Sequence, residues 1–232
     1  MVLNRRFFWR LVAIVIGLVL CYQLWLLGHV LWWTQYNPSS SAFMDARLDI
    51  LHSKDPDAEL HYKWVPYEKI SINLKRAVIA SEDAKFLQHE GFDWEGMQTA
   101  WEKNLKKGKI VAGGSTISQQ LAKNLFLSGK RTPWRKAEEA MITIMMENIM
   151  SKHRIFEIYL NVIEWGDGVF GAEAAARHYY GKSASRLNAS EAAKLAAMVP
   201  NPRYYDAHRN DRRLLRKARI IQRRMGYVQV PR

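Results

Sequence analysis

Acidic residues and cysteine are both scarce in this sequence of 232 residues. Asp and Glu number 22 against 35 Lys and Arg, so the formal net charge is +13. Such an excess favours an anionic partner, which could be nucleic acid, lipid headgroups or a phosphorylated substrate. The single cysteine, Cys21, excludes an intramolecular disulfide and a zinc site built from cysteines. The length is sufficient for one or two domains.

Charged side chains are also missing from residues 11–33, which are apolar almost throughout. About 20 apolar residues cross a bilayer as a helix, so this segment is predicted to be transmembrane. Arg5, Arg6 and Arg10 precede it, which predicts that residues 1–10 form a basic cytoplasmic N-terminus and that the remainder is exported. A cleaved signal peptide or a buried core helix are the alternatives. The segment is longer than a signal peptide's apolar region and ends in Leu-Trp-Trp, which favours a retained anchor.

The exported part is predicted to be a mainly α-helical domain. Residues 34–44, which include a proline and several serines, are typical of a linker, and the domain is expected to span residues 45–232. Most later segments have helical rather than alternating periodicity. Helices are predicted at residues 45–51, 74–86, 133–150, 152–163, 171–180 and 209–225, with one more that Asn188 or Ser190 caps and Pro200 ends.

Glu82 and Asp83 form the first candidate for chemistry. Adjacent carboxylates raise each other's pKa when partly buried, and a general base requires such tuning. On this stretch alone, a solvated acidic helix end is the favoured explanation of the same two residues. The pattern therefore nominates Glu82 and Asp83 as a hypothesis rather than as an assignment.

The segment GGSTISQQLAKN (113–124) is the second candidate. Thr116 and Gln119 have the spacing of a capping box, and the free N–H groups of a helix N-terminus attract anions. Thr116, Gln120 and Lys123 are spaced so as to share one polar stripe of the helix. An ordinary capped surface helix is the alternative interpretation.

Arg135, Lys136 and Glu139 begin a helix that continues with apolar residues almost all round, so the helix is expected to be buried. A buried carboxylate at Glu139 must be paired or must act in chemistry. An Arg135–Glu139 ion pair is one explanation, and two cations suited to a diphosphate are another.

Two basic helices complete the candidates. Lys152 begins a helix in which Arg154 and Glu157 are spaced as a surface pair, and a structural helix explains this pattern. The C-terminal helix carries many arginines, which could lie on anionic headgroups or form a solvated face. The sequence does not separate these two interpretations.

Five segments in order then resemble the motifs of the peptidoglycan glycosyltransferases of family 51, related to the glycosyltransferase domain of class A penicillin-binding proteins. The resemblance covers residues 64–202, and the twelve-residue segment is highly specific. Ser118 stands where the family often has Thr, and Tyr180 where it often has Phe. The segments are Glu82-Asp83-x-x-Phe86-x-x-His89-x-Gly91-x-Asp93, GGSTISQQLAKN, Arg135-Lys136-x-x-Glu139, Lys152-x-x-Ile155-x-Glu157-x-Tyr159-Leu160-Asn161 and Gly171-Ala172-x-Ala174-Ala175-x-x-x-Tyr179-Tyr180-Gly181-Lys182.

The resemblance implies a lysozyme-like helical fold and polymerisation of lipid II into β-1,4-linked glycan strands, with inversion at MurNAc C1 and release of undecaprenyl diphosphate. It implies that Glu82 is the general base and that Glu139 acts on the donor side. It further implies an enzyme of the bacterial inner membrane whose catalytic domain is periplasmic. The implied substrate-binding residues are Asp83, Ser115, Thr116, Gln119, Gln120, Lys123, Asn124, Arg135, Lys136, Lys152 and Glu157.

Mg²⁺ or Mn²⁺ at the donor diphosphate is plausible under this resemblance, although no ligand cluster in the sequence demands it. The expected partners are lipid II, the growing lipid-linked glycan, the membrane and proteins of division or cell-wall synthesis. The sequence ends at Arg232, which leads us to expect a monofunctional glycosyltransferase without a transpeptidase domain.

Three rival functions remain. A lytic transglycosylase or muramidase would share the fold and a catalytic Glu, but it has no need of segment 113–124 or of Arg135 and Lys136. A non-catalytic membrane scaffold of cell-wall assembly would tolerate loss of Glu82 and Glu139. A nucleic-acid binder requires the opposite topology, which the N-terminal arginines disfavour, so no nucleic-acid partner is expected.

Overall fold

The computed structural model describes residues 5–109, 113–130 and 132–232. Residues 1–4 of the predicted cytoplasmic N-terminus lie outside the described residues. Within the described ranges the chain forms eleven α-helices and three short strands, which confirms the predicted mainly helical fold. The helices are α1 Arg5–Trp32, α2 Ala42–His52, α3 Ile72–Glu82, α4 Trp94–Lys107, α5 Ile117–Phe126, α6 Pro133–Ile149, α7 Lys152–Val162, α8 Ala172–Tyr180, α9 Ala189–Met198, α10 Pro202–Ala207 and α11 Arg212–Arg224.

Helix α1 contains the predicted apolar segment. By length and composition it is long and apolar enough to cross a membrane, and most of its side chains are exposed. Leu26 and Val30 are the exceptions, since both are fully buried. They lie in the C-terminal half of α1, which packs against α6. Helix α1 therefore packs against the domain at its C-terminal end.

The core of the domain is built by α3, α5, α7 and α9. Helix α7 is buried along most of its length, and its Phe156 and Tyr159 are fully enclosed. Burying a side chain of this size stabilises the fold by about 2–3 kcal/mol. Helices α3, α9 and α11 pack against one another, while α5 packs against both α6 and α7. This packing brings the C-terminal end of α3 next to the N-terminal half of α5.

Three strands form a small sheet in the order β1-β3-β2. Strand β1 (His61–Tyr62) is parallel to β3 (Val169–Phe170), and β2 (Glu164–Gly166) is antiparallel to β3. Gly171 then turns the chain into α8 with φ +83°, and a Cβ there would lie 2.6 Å from the Asn161 carbonyl oxygen. Only glycine fits that position without strain. The sequence predicts no strand here, because strands of two or three residues are too short for a period to appear.

Several predicted helix ends are wrong by a few residues. The predicted helix 74–86 ends at Glu82, because Asp83 leaves the helical conformation (φ −161°, ψ 76°). Helix α2 begins at Ala42, since Ser41 is its N-cap, and α11 begins at Arg212 behind the cap Asp211. Asn188, and not Ser190, caps α9 through a capping box.

Helix α6 is not buried all round, contrary to the prediction. Met141 and Ile144 are 42% and 51% exposed, whereas Glu139, Ile142 and Met146 are buried. The apolar residues therefore occupy two faces, one in the core and one exposed. Composition alone does not reveal the second face, because apolar residues outside the core look the same in sequence.

Candidate active site

Glu82 is the last residue of α3, and its carboxylate is held from three directions. Ser81 Oγ donates to one oxygen at 2.8 Å, and Gln120 Nε2 donates to the other at 3.1 Å. The ammonium of Lys217 lies 3.7 Å from Glu82 Oε1. The Glu82 side chain is only 9% exposed. A carboxylate with so little solvent depends on these partners for its charged form.

Asp83 fixes the start of α5 rather than facing the cleft freely. Its carboxylate accepts a hydrogen bond from the Ile117 backbone N–H at 3.1 Å and contacts His89 Nε2 at 3.0 Å. Ile117 is the first residue of α5, where N–H groups have no partner inside the helix and the dipole favours negative charge. Asp83 thus joins the end of α3 to the beginning of α5.

The predicted capping box at the start of α5 is present. Thr116 Oγ accepts from the Gln119 N–H at 3.2 Å, and Gln119 Oε1 accepts from the Thr116 N–H at 3.0 Å. Thr116 also donates to the Gly91 carbonyl at 2.6 Å. Both side chains are buried, so their polar groups serve the helix end. Asn124 likewise donates to the Gln120 carbonyl one turn earlier in its own helix.

Gln120 connects Glu82 to a buried tyrosine. Tyr159 donates from its hydroxyl to Gln120 Oε1 at 2.9 Å, which leaves Gln120 Nε2 to face Glu82. Burial first, and then the negative charges of Glu82 and Asp83, raise the pKa of Tyr159 well above its ordinary value. Tyr159 therefore stays protonated and remains a donor at any working pH.

Arg135, Lys136 and Glu139 form one cluster at the start of α6. Arg135 donates to Glu139 Oε2 at 3.0 Å, and Lys136 contacts the other oxygen. The predicted Arg135–Glu139 ion pair is therefore confirmed, and Glu139 is 3% exposed. Lys136 is partly exposed and also lies 3.4 Å from Ser115 Oγ, on the loop before α5.

One cleft brings these groups together. Its wall is formed by the end of α3, the start of α4 and the loop before α5, so Glu82 and Ser115 line the same cleft. The Ser115 contact of Lys136 brings the cationic end of α6 to the same cleft. The arrangement combines a carboxylate that can accept a proton with cations that can bind an anionic group. The lining residues are Glu82, Asp83, Ala84, Asp93, Gly96, Gly113, Gly114, Ser115 and Thr116.

Three other predicted site residues make their contacts outside this cleft. Lys152 pairs with Glu147 at 2.8 Å, and Glu147 in turn accepts from Ser118. Glu157 pairs with Arg154 at 2.6 Å, with both side chains less than one-sixth exposed, so the expected surface pair is part-buried. Lys123 extends toward α2, with its ammonium 5.4 Å from the centre of the Phe43 ring.

The residues around Glu139 fit a protein-held divalent cation poorly. Both of its carboxylate oxygens already contact cations, from Arg135 and Lys136. In the described part of the chain, no group of three or more His, Cys, Asp or Glu side chains is placed to hold a metal ion. Mg²⁺ or Mn²⁺ needs several oxygen ligands, which a bound diphosphate would have to supply.

Sequence reasoning missed two residues at this site, Tyr159 and Lys217. Tyr159 was part of a recognised segment without an assigned role, and Lys217 was counted with the basic C-terminal helix. One signal for Lys217 was available, because it follows Leu214 by three residues and precedes Ile221 by four. Positions with that spacing share a helix face, and here the face is the buried one.

Comparison with known proteins identifies similar chains. The family model described as "Transglycosylase" matches residues 50–226. A "Biosynthetic peptidoglycan transglycosylase" of Laribacter hongkongensis is 72% identical over 222 residues, covering 96% of this chain and 97% of that protein. Proteins of the same name from Methylobacillus flagellatus and Chromobacterium violaceum are 68% and 66% identical, and each comparison covers at least 97% of both chains.

Proposed function

The chain belongs to the transglycosylase family, whose domain is helical and lysozyme-like, and from this premise we propose that it polymerises lipid II into peptidoglycan glycan strands. Family membership makes it a glycosyltransferase of cell-wall biosynthesis. The finer proposal rests on the cleft that Glu82 and Ser115 both line and on the contact of Lys136 with Ser115. A base and a diphosphate-binding cation on one cleft are what transfer from a lipid diphosphate requires.

In the proposed reaction, Glu82 acts as general base toward the acceptor. Its carboxylate takes the proton from the GlcNAc 4-hydroxyl of lipid II, and that oxygen attacks C1 of the donor MurNAc. The bond between C1 and the diphosphate oxygen breaks, and its electron pair leaves with undecaprenyl diphosphate. A single displacement inverts the α linkage to β without a covalent enzyme intermediate. The burial of Glu82 and its neutral donors, Ser81 and Gln120, support this role.

The donor diphosphate is proposed to lie near Arg135 and Lys136. Charge-assisted hydrogen bonds to phosphate are strong, and Arg135 offers a planar fork of donors. Glu139 holds both cations from within the helix, so its proposed role on the donor side is to position them. Ser115 and Gln120 are proposed to contact substrate directly, whereas Thr116, Gln119 and Asn124 support the helix that presents them. The metal ion stays a prediction.

Location follows from the anchor. The apolar helix α1 is consistent with a membrane-anchored protein. We propose a single-pass topology with the N-terminus in the cytoplasm and the domain on the outer face, as Arg5, Arg6 and Arg10 favour. Tethering would hold the cleft at the surface that contains the lipid-linked substrate and raise its effective concentration. Contacts with division or other cell-wall synthesis proteins stay a prediction.

Polymerisation of labelled lipid II by the purified, detergent-solubilised chain tests the function. We expect wild type to form long glycan and Glu82→Gln to lose about 100-fold or more of the rate, because the amide cannot accept the proton. Glu90→Gln is the matched control, since Glu90 is exposed on the loop after α3. Shortening of preformed glycan without polymerisation would instead support a hydrolytic enzyme. If the protein neither polymerises lipid II nor shortens glycan, the scaffold alternative is supported.

A further inference from the structure

The basic C-terminal helix α11 does not present all of its cations to solvent. Leu214, Ala218 and Ile221 are its buried residues, and they face α9 and α3. Lys217 lies on this inner side, whereas the preceding Arg216 is exposed. Asp211 fixes the helix at its start by accepting from the N–H groups of Arg213 and Leu214. The helix therefore carries one lysine inward among arginines that extend outward.

The inward lysine reaches the proposed base. Lys217 Nζ lies 3.7 Å from Glu82 Oε1, and the two side chains are 36% and 9% exposed. The other partners of this carboxylate, Ser81 and Gln120, are neutral donors. Lys217 alone among these three brings a full positive charge, which favours the ionised form of a carboxylate.

We propose that Lys217 is a positioning residue of the catalytic centre, whose ammonium keeps the Glu82 carboxylate ionised and fixed in the cleft. This inference rests on the proposed role of Glu82 as general base. Glu82 is ready to accept a proton only when it is charged. A cation at this distance favours the return of Glu82 to the charged form after each turnover. When Glu82 releases the captured proton to solvent, Lys217 stabilises the carboxylate that remains.

The surroundings of the pair define its pH dependence. Among the described residues, Asp83 on the loop after α3 and Tyr159 on α7 are further ionisable groups near Glu82. On α11, Arg213 lies one turn before Lys217 and close to the N-cap Asp211. On α9, Glu191 pairs with Lys182, and Lys194 is influenced by Arg209. Burial lowers the pKa of Lys217 below its usual value of 10.5, with the charge of Glu82 opposing the shift.

Steady-state kinetics of lipid II polymerisation separate positioning from substrate binding. We expect Lys217→Met to lower kcat on the order of tenfold or more while KM changes by about twofold at most, because the residue acts through Glu82. Lys217→Arg should recover most of kcat, and the neighbouring control Arg216→Met should match wild type. A rise in KM with kcat unchanged, or wild-type values for Lys217→Met, would overturn the proposal.

The alkaline side of the pH profile gives a second readout that a purely structural lysine would not move. Because the pKa of Lys217 is lowered, its charge is lost as pH rises through a value below 10.5, and wild-type activity should fall there. The guanidinium of Lys217→Arg keeps its charge, so its activity should persist to higher pH. Coincident alkaline limbs for the two proteins would contradict the proposal.

A measurement without substrate keeps this inference distinct from the proposed function. The full chain, labelled with ¹³C at glutamate carboxyls, is titrated in detergent, and the Glu82 signal is assigned from Glu82→Gln. We expect the Glu82 midpoint to move to higher pH in Lys217→Met relative to wild type. An unchanged midpoint refutes the pairing even if lipid II is polymerised, whereas a shifted midpoint in a protein that makes no polymer refutes only the enzymatic role.

Discussion

At the scale of single residues, the proposed general base is defined by what surrounds it. Glu82 and Asp83 are adjacent in sequence but have different tasks, because the helix ends between them. The Asp83 carboxylate binds the Ile117 N–H and His89, the Glu82 carboxylate binds Ser81 and Gln120, and both residues line the cleft. Two neighbouring acids thus have different roles: Asp83 is structural, and Glu82 is the proposed general base.

The orientation of the Gln120 amide is the residue-scale feature most open to test. Tyr159→Phe removes the hydroxyl that holds Gln120 Oε1, so the amide can turn and withdraw Nε2 from Glu82. We expect kcat to fall by roughly a factor of ten with about 1 kcal/mol lost in stability, the usual value of one hydrogen bond. Tyr62→Phe, which loses a hydroxyl bonded to the Pro38 carbonyl far from Gln120, is the control. Equal kcat for Tyr159→Phe and wild type would exclude this role.

At the scale of elements, α5 organises the site through its N-terminus. Its cap, Thr116, bonds both to Gln119 and to the Gly91 carbonyl, which ties the helix to the loop after α3. Gly91 permits this approach with φ +90°, and a Cβ there would lie 2.8 Å from Thr143 Cγ2. The cleft is therefore built by helix ends that are bonded to one another, together with the loop before α5.

Removing two N-caps of the same type compares their contributions. Thr116→Ala loses a buried cap and the bond to Gly91, so unfolding should become easier by about 1–2 kcal/mol. Thr132→Ala, at the exposed start of α6, loses one cap bond and should cost less. Thermal unfolding followed by circular dichroism in detergent measures both variants. A larger loss for Thr132→Ala would mean that the α5 cap does not organise this region.

At the scale of the whole molecule, the anchor and the domain form one packed unit. Arg154 donates to the carbonyls of Trp33 and Tyr36 at 2.8 and 2.6 Å and to the Asn37 side chain at 2.9 Å. The Trp33 ring packs on Phe126 of α5. These contacts join the C-terminal end of α1 to α7 and to α5, the helix that carries Gln120, so the cleft keeps a fixed orientation to α1.

Arg154→Lys tests this connection while keeping the charge opposite Glu157. An ammonium cannot reproduce the planar fork that bonds three acceptors at once. We expect polymerisation in lipid vesicles to fall by roughly a factor of three to ten, with a smaller change in detergent, where orientation to a bilayer no longer matters. Arg177→Lys, where an exposed arginine pairs with the buried Glu173, is the control. An equal loss in vesicles and detergent would show that orientation is not what Arg154 provides.

Much of this architecture could be predicted from sequence because its signals are local. Period and cap chemistry can be recognised in neighbouring residues. They indicate the apolar segment of α1, the Thr116 capping box and the start of α6 at Pro133. The helical class and the pairing of Arg135 with Glu139 followed from the same local spacing. The exposed apolar face of α6 and the strands of two or three residues were not predicted, since neither has a local pattern that distinguishes it.

The sequence by itself determined the helical class, the membrane-spanning candidate and the family, because each depends on residues close together or on motifs in order. Only the tertiary structure decided which groups surround Glu82. Gln120, Tyr159 and Lys217 come from three different helices and are up to 135 positions away in sequence, the span from Glu82 to Lys217. Such contacts depend on how α3, α5, α7 and α11 pack together, and the side-chain spacing within any one helix carries no information about that packing.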